Sequence, residues 1–168
     1  MKKILFLLLA FISINVKSQD IIIPTFLEKW ENSKNYLIEV AESMPEDKYN
    51  YKPTEPQRDF KEQLIHIRAN MIWLSHTYFA DKEIPKDNLS SKSKAELIQI
   101  ISDGFDTVTT IIKNTKPKDL AAKVEFFAGP KTKLQILNLL QDHVTHHRGQ
   151  LLVYLNLNGV KPPRFVGW

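Results

Sequence analysis

The sequence predicts an all-α fold, a four-helix bundle, on three observations. Apolar residues recur at helical spacing through four long segments. Three of those segments open on Asp, Ser or Thr with Glu or Gln three residues later, the reciprocal capping pattern of a helix start. Strand character is confined to the run Lys123 to Phe127, which is too isolated to build a sheet by itself. The bulk properties agree. A chain of 168 residues with 43% hydrophobic and 25% charged side chains is an ordinary single-domain balance, with nine Phe, five Tyr and three Trp as core material. There is no cysteine, which excludes a disulfide, a thiolate metal ligand, a cysteine nucleophile and a lipid-anchored cysteine.

The N-terminus carries Lys2-Lys3, an apolar run from Ile4 to Ile14, and a more polar stretch ending Val16-Lys17-Ser18. These are the three parts of a secretory signal peptide, with small residues where a signal peptidase needs them. Cleavage is expected between Ser18 and Gln19. The apolar run is shorter than the roughly 20 residues that span a bilayer, so residues 19–168 are expected to form an exported, periplasmic protein with no membrane segment after cleavage. Removing Lys2, Lys3 and Lys17 from 23 basic residues leaves 20 against 19 acidic ones, a net charge near +1. That balance gives no case for nucleic acid as a partner.

The first mature helix is expected from about Pro24 to Ser43, with Phe26, Trp30, Leu37, Val40 and Met44 on one stripe. Residues 44–57 hold Pro45, Pro53 and Pro56 and read as a loop, whose Tyr49 and Tyr51 are suited to packing over a bundle end. Asp59 with Glu62 starts a second helix reaching about Ala80, with Phe60, Leu64, Ile67, Met71 and Leu74 inward. His66, Asn70 and Trp73 form a neighbouring stripe, and His76 is expected on the exposed side. Ser93 with Glu96 opens a third helix to about Asn114. Gly104 in its middle costs roughly 1 kcal/mol relative to Ala, so close packing or a bend is expected there. Thr132 with Gln135 opens a fourth helix to Asn158, stopped by Gly159 and by Pro162-Pro163.

The candidate chemistry lies in that fourth helix, in the run Asp142-His143-Val144-Thr145-His146-His147-Arg148-Gly149-Gln150. His143 and His147 are four residues apart, hence about 40° apart in projection and one turn above the other. Two imidazoles do not close a site for a divalent ion, and His66 on the second helix is the obvious third ligand. Three histidines with an open position suit zinc or nickel and a catalytic site, in which a divalent ion lowers the pKa of water towards about 7 or polarises a substrate oxygen. Spacing alone is equally compatible with a solvated or hydrogen-bonded pair, and His143 with His146 is a second admissible pair. His147 is preferred because it continues the Leu140, His143, Val144, Leu151 face. Arg148 reads as a surface ion-pair residue or an anion binder, Trp30 and Trp73 as core. Glu62, Asp142 and Gln150 are the polar residues within about a turn of the ligands.

Phe60-Lys61-Glu62-Gln63-Leu64-Ile65-His66-Ile67 with Trp73 downstream, together with His143, His147-Arg148-Gly149-Gln150, Tyr154-Leu155 and Gly159 to Pro163, resembles the DinB family over essentially the whole mature chain, including Trp30 and the Met44-Pro45-Glu46 turn. The resemblance implies a four-helix bundle of up-up-down-down type that binds a divalent metal through His66, His143 and His147. Relatives in the wider superfamily include thiol-dependent isomerases and S-transferases, but a signal peptide places this chain where reduced thiols are scarce. The expected function is therefore that of an exported metal-dependent hydrolase or transferase acting on a small molecule. The alternatives are a non-catalytic metal-binding or stress-related protein of the envelope, and a dimeric structural module with vestigial histidines; pairing into a homodimer through helix faces is common in such bundles.

Overall fold

The computed structural model describes residues 21–168. The expected signal peptide, residues 1–18, lies outside them. Four helices carry the fold: α1 (Ile22–Ser43), α2 (Phe60–Ser75), α3 (Lys94–Lys113) and α4 (Lys133–Leu157). The last three start where the capping pattern predicts. Asp59, Ser93 and Thr132 each accept the backbone N–H three residues on, and Glu62, Glu96 and Gln135 each reach back to the cap's own N–H. Each box satisfies two N–H groups that a helix start otherwise leaves without partners. Helix α4 ends at Gly159, whose positive φ of 70° is the left-handed stop that glycine adopts without strain.

Each helix packs on two neighbours, α1 and α2 both lying against α3 and α4, so consecutive helices α1 and α2 sit diagonally across the bundle. The directions follow from paired positions. Lys94 at the start of α3 donates to the carbonyls of Glu42 and Met44 at the end of α1, while Trp30 meets Phe105 further along, so these two helices are antiparallel. Lys61 reaches Lys92 and Arg68 lies beside Gly104, so α2 and α3 are parallel. Gln63 bonds Gln150 and His66 meets His143, so α4 runs antiparallel to α2 and parallel to α1. The bundle is up-down-down-up.

This corrects the expected up-up-down-down order, and the connections give the reason. The α1–α2 loop stays at one end because Tyr49 donates to the Ala41 carbonyl at 2.7 Å and packs at a tilt on Phe60 at 5.2 Å, tying the end of α1 to the start of α2. Tyr51 packs edge-on to Tyr154 at the same end. The crossover falls instead between α2 and α3. There the α-helix stops at Ser75, His76–Ala80 forms a π-helical turn, and Asp81 with φ of 48° reverses the chain. Residues 82–92 then travel back along the bundle, held by Arg68 to Asp87 at 2.8 Å and by Lys61 to Lys92 at 2.7 Å.

The chain that returns after the π turn also corrects the placement of His76, whose own φ and ψ are still α-helical. His76 is buried, and its Nδ1 lies 2.8 Å from the Glu83 carbonyl. The strand-like run pairs only over two residues, Lys123–Val124 against Lys131–Thr132. The core is one cluster, in which Trp30, Phe60 and Phe105 are the bulkiest fully enclosed side chains. Gly104 is there for close packing. A Cβ added to it would stand 3.2 Å from Met71 Sδ.

Candidate metal centre

Helix α2 faces α4 with two kinds of residue. Leu64 and Ile67 point to the bundle axis and are fully buried, as are Val144 and Leu151 opposite. One step round each helix, Gln63 and His66 meet His143, His147, Gln150 and Tyr154. The centre therefore lies along the rim of the α2–α4 seam, not on the bundle axis. His66 and His143 are half-buried, while His147 is buried.

The three histidines expected from the sequence are the three brought together. Each offers a ring nitrogen, and all three nitrogens lie within 4.8 Å of one another. His66 Nε2 and His143 Nε2 are 3.2 Å apart. Two nitrogens bound about 2.0–2.1 Å from one ion at a tetrahedral angle stand roughly 3.3–3.4 Å apart, so the donor spacing fits a metal of that size. The group can hold a metal ion. Among the described residues no carboxylate joins the cluster. His146 does not join it either: its ring is exposed and takes a 3.2 Å contact from Gln150 Nε2.

The proton on His147 is fixed by its neighbours. Gln63 Nε2 donates to Gln150 Oε1 at 2.7 Å, which turns Gln63 Oε1 towards His147 Nδ1 at 2.8 Å. Gln150 Oε1 lies 3.2 Å from the same nitrogen. Two acceptors require a donor between them, so Nδ1 carries the hydrogen and Nε2 keeps its lone pair. Hydrogen bonding at one ring nitrogen commonly sets the metal-binding tautomer at the other. Tyr154 supports the arrangement from behind, its hydroxyl donating to the Arg58 carbonyl at 2.8 Å.

The family model described as the DinB family matches residues 15–167. The chain belongs to the DinB family. It is similar to the YjoA protein of Bacillus subtilis strain 168, described as uncharacterised, with 23% identity over 129 residues, 75% of this chain and 84% of that protein. The crystal structure of the same B. subtilis DinB-like protein superposes with a TM-score of 0.71 at 21% identity, covering 84% of this chain and 96% of that one. A DinB-like protein from Bacillus cereus ATCC 10987 superposes with a TM-score of 0.66 at 20% identity, covering 84% and 95%. These likenesses show a shared fold.

In this DinB bundle burial disfavours the charged imidazolium at all three positions. His66 is lowered to about 4 by desolvation and then by the charges of Arg58 and His147. His143 is lowered to about 3, by desolvation first and then chiefly by His147 and His66. For His147 desolvation also dominates, opposed in part by its bond to Gln150. Neutral imidazoles at pH 7 are what metal ligation needs.

Of the three polar residues expected near the ligands, only Gln150 touches one. Glu62 is committed to the Asp59 cap, and Asp142 is exposed. Gln63 and Tyr154 were missed, although Gln63 was legible as a polar side chain three residues before His66 with Leu64 and Ile67 around it. Arg148 is corrected. It is buried, its guanidinium stands 4.5 Å over the Tyr36 ring, and it forms no ion pair among the described residues. The ring that takes it is on α1, over which the C-terminal segment doubles back: Val166 accepts from Asn32, and Phe165 packs on Tyr36. Trp73 is half-buried, stacked on Phe126 at 6.1 Å, so it belongs to a surface aromatic group and not to the core.

Proposed function

We propose that this DinB-family chain is an exported protein that binds a divalent metal, zinc or nickel, through His66, His143 and His147, and that it catalyses hydrolysis of, or group transfer to, a small molecule. The observation that carries the reading is a cluster of three neutral imidazoles, without a fourth protein ligand among the described residues, opening beside a cleft of about 480 Å³ that His66 lines. A closed structural site is normally completed by four protein ligands, whereas a catalytic one keeps a position for the reactant. The cleft is what favours catalysis over storage in the envelope. An all-imidazole donor set supports zinc or nickel over metals that favour carboxylates. When bound, such an ion supplies Lewis acidity to a substrate oxygen or to water.

The chain's own residues have separate tasks. His66, His143 and His147 hold the ion, Gln63 and Gln150 keep the proton on His147 Nδ1, and the half-buried rim admits a small molecule while Leu64, Ile67, Val144 and Leu151 keep water from the axis. Export rests on the signal-peptide pattern of residues 1–18. Elemental analysis of untagged protein from the periplasmic fraction tests the reading. About one equivalent of metal is expected, and none in His147→Ala; stoichiometric metal retained by that variant overturns the assignment.

A further inference from the structure

We propose that the reactant is an oxyanion, a carboxylate or a phosphoryl group, and that Arg58 in the wall of the cleft is its specificity-determining partner. The inference rests on the proposed metal site and names the class of molecule that site takes. Arg58 and His66 line the same cleft, with Glu62, Asp87 and Ser90 among the other polar walls. Two of these walls are carboxylates, and both are engaged. Glu62 Oε2 accepts the Asp59 backbone N–H at 2.9 Å, and Asp87 pairs with Arg68 at 2.8 Å. Arg58 pairs with no carboxylate among the described residues and is the one cation in the cleft's lining, while Glu62, bonded to a neutral backbone N–H in the cap, keeps its negative charge.

Its backbone is nevertheless held firmly. The Arg58 carbonyl accepts from Tyr154, and the next residue, Asp59, is locked in the cap of α2. The side chain is thus an exposed cation on a fixed stem, beside the ligand cluster.

The donor set sharpens the argument. Three neutral imidazoles cancel none of a divalent ion's charge, whereas a site containing carboxylates cancels part of it. A dication with no acidic ligand and an unpaired guanidinium nearby together define an anion-binding locus, and a guanidinium fork suits an oxyanion better than a single-atom anion. Arg148, the other candidate anion binder in the sequence, is buried and turned towards Tyr36.

The test is a titration of the cobalt(II)-loaded mature protein, followed by visible absorption of the ion, with benzoate, phenylphosphonate and neutral benzyl alcohol. Both anions are expected to bind the wild type more tightly than the alcohol, and whichever binds more tightly distinguishes carboxylate from phosphoryl. Arg58→Ala is expected to take up cobalt with unchanged stoichiometry yet bind the anions roughly tenfold more weakly or worse, as for loss of one charge-assisted hydrogen bond, with Arg58→Lys intermediate and the alcohol unaffected. Equal anion affinity in wild type and Arg58→Ala overturns the role of Arg58 and leaves the metal site standing. Failure of the wild type to take up cobalt overturns the metal site itself, and the anion proposal with it.

Discussion

The two antiparallel helix pairs of this bundle share a geometry and differ in content. Between α1 and α3 the contact is an aromatic stack, with Phe26 on Trp30 at 5.4 Å and Trp30 on Phe105 at 4.6 Å, and one buried polar atom, the Trp30 indole nitrogen, donates to the Phe105 carbonyl at 3.2 Å. Between α2 and α4 the rim is polar, with Gln63 bonded to each of His147, Gln150 and Tyr154. The first pair stabilises; the second spends helix-packing surface on groups that need partners to be tolerated. The fold can afford a costly seam because the opposite seam is dry.

The comparison breaks most severely at Trp30. Truncation to Ala removes a fully enclosed indole and leaves a cavity between α1 and α3, and a loss of about 3–5 kcal/mol is expected in urea or thermal unfolding. Metal stoichiometry in the fraction that remains folded should be unchanged, since no ligand lies on α1 or α3. A variant that loses stability and metal together in the folded state would show that the two seams are coupled.

Gln63→Leu strikes the other seam. Leu nearly matches Gln in volume but leaves His147 Nδ1 with Gln150 at 3.2 Å as its remaining acceptor. The expected result is a metal affinity weaker by about 10–100-fold, measured by competition with a chelator, with His66 and His143 still in place. Equal affinity in the variant would mean that Gln150 alone sets the tautomer.

The legibility of the sequence divides along the same line. The dry pair is readable throughout: Phe26, Trp30 and Phe105 fall on helical stripes, and the cap at Ser93 marks the start of α3 to the residue. The three histidines are readable too, because i and i+4 on one helix is a local relation. What escaped is whatever depends on distant chain. Gln63 acquires its role from Gln150 and His147 on another helix; Arg148 is taken up by the Tyr36 ring of α1; and His76 is covered by the chain that returns past Glu83. The order of helix directions belongs with these. It is decided by which loop Tyr49 pins, and residue types along a loop do not say which end of the bundle it stays on.

The smallest effect expected is on pH, and it sharpens the comparison because the titrating groups sit on one seam. In the metal-free protein His66 is depressed to about 4 and His143 to about 3, against an ordinary imidazole value of 6.5. As pH falls below 6.5 the unfolded chain takes up these protons and the folded one does not, so protonation favours unfolding. The native state therefore loses stability progressively from about pH 6.5 down to the folded values, and above that window the contribution is fully present. Urea midpoints of chelator-treated protein should be flat above pH 7 and decline between 6.5 and 4. His66→Asn combined with His143→Asn should flatten the upper part of that decline, where carboxylates have not begun to titrate. A wild-type slope surviving in the double variant would place the destabilising protons elsewhere. In the metal-loaded protein the same lone pairs bind the ion, so proton competition in the folded site should release metal only near and below the folded values of about 4 and 3, and the metal adds its own stabilisation above them.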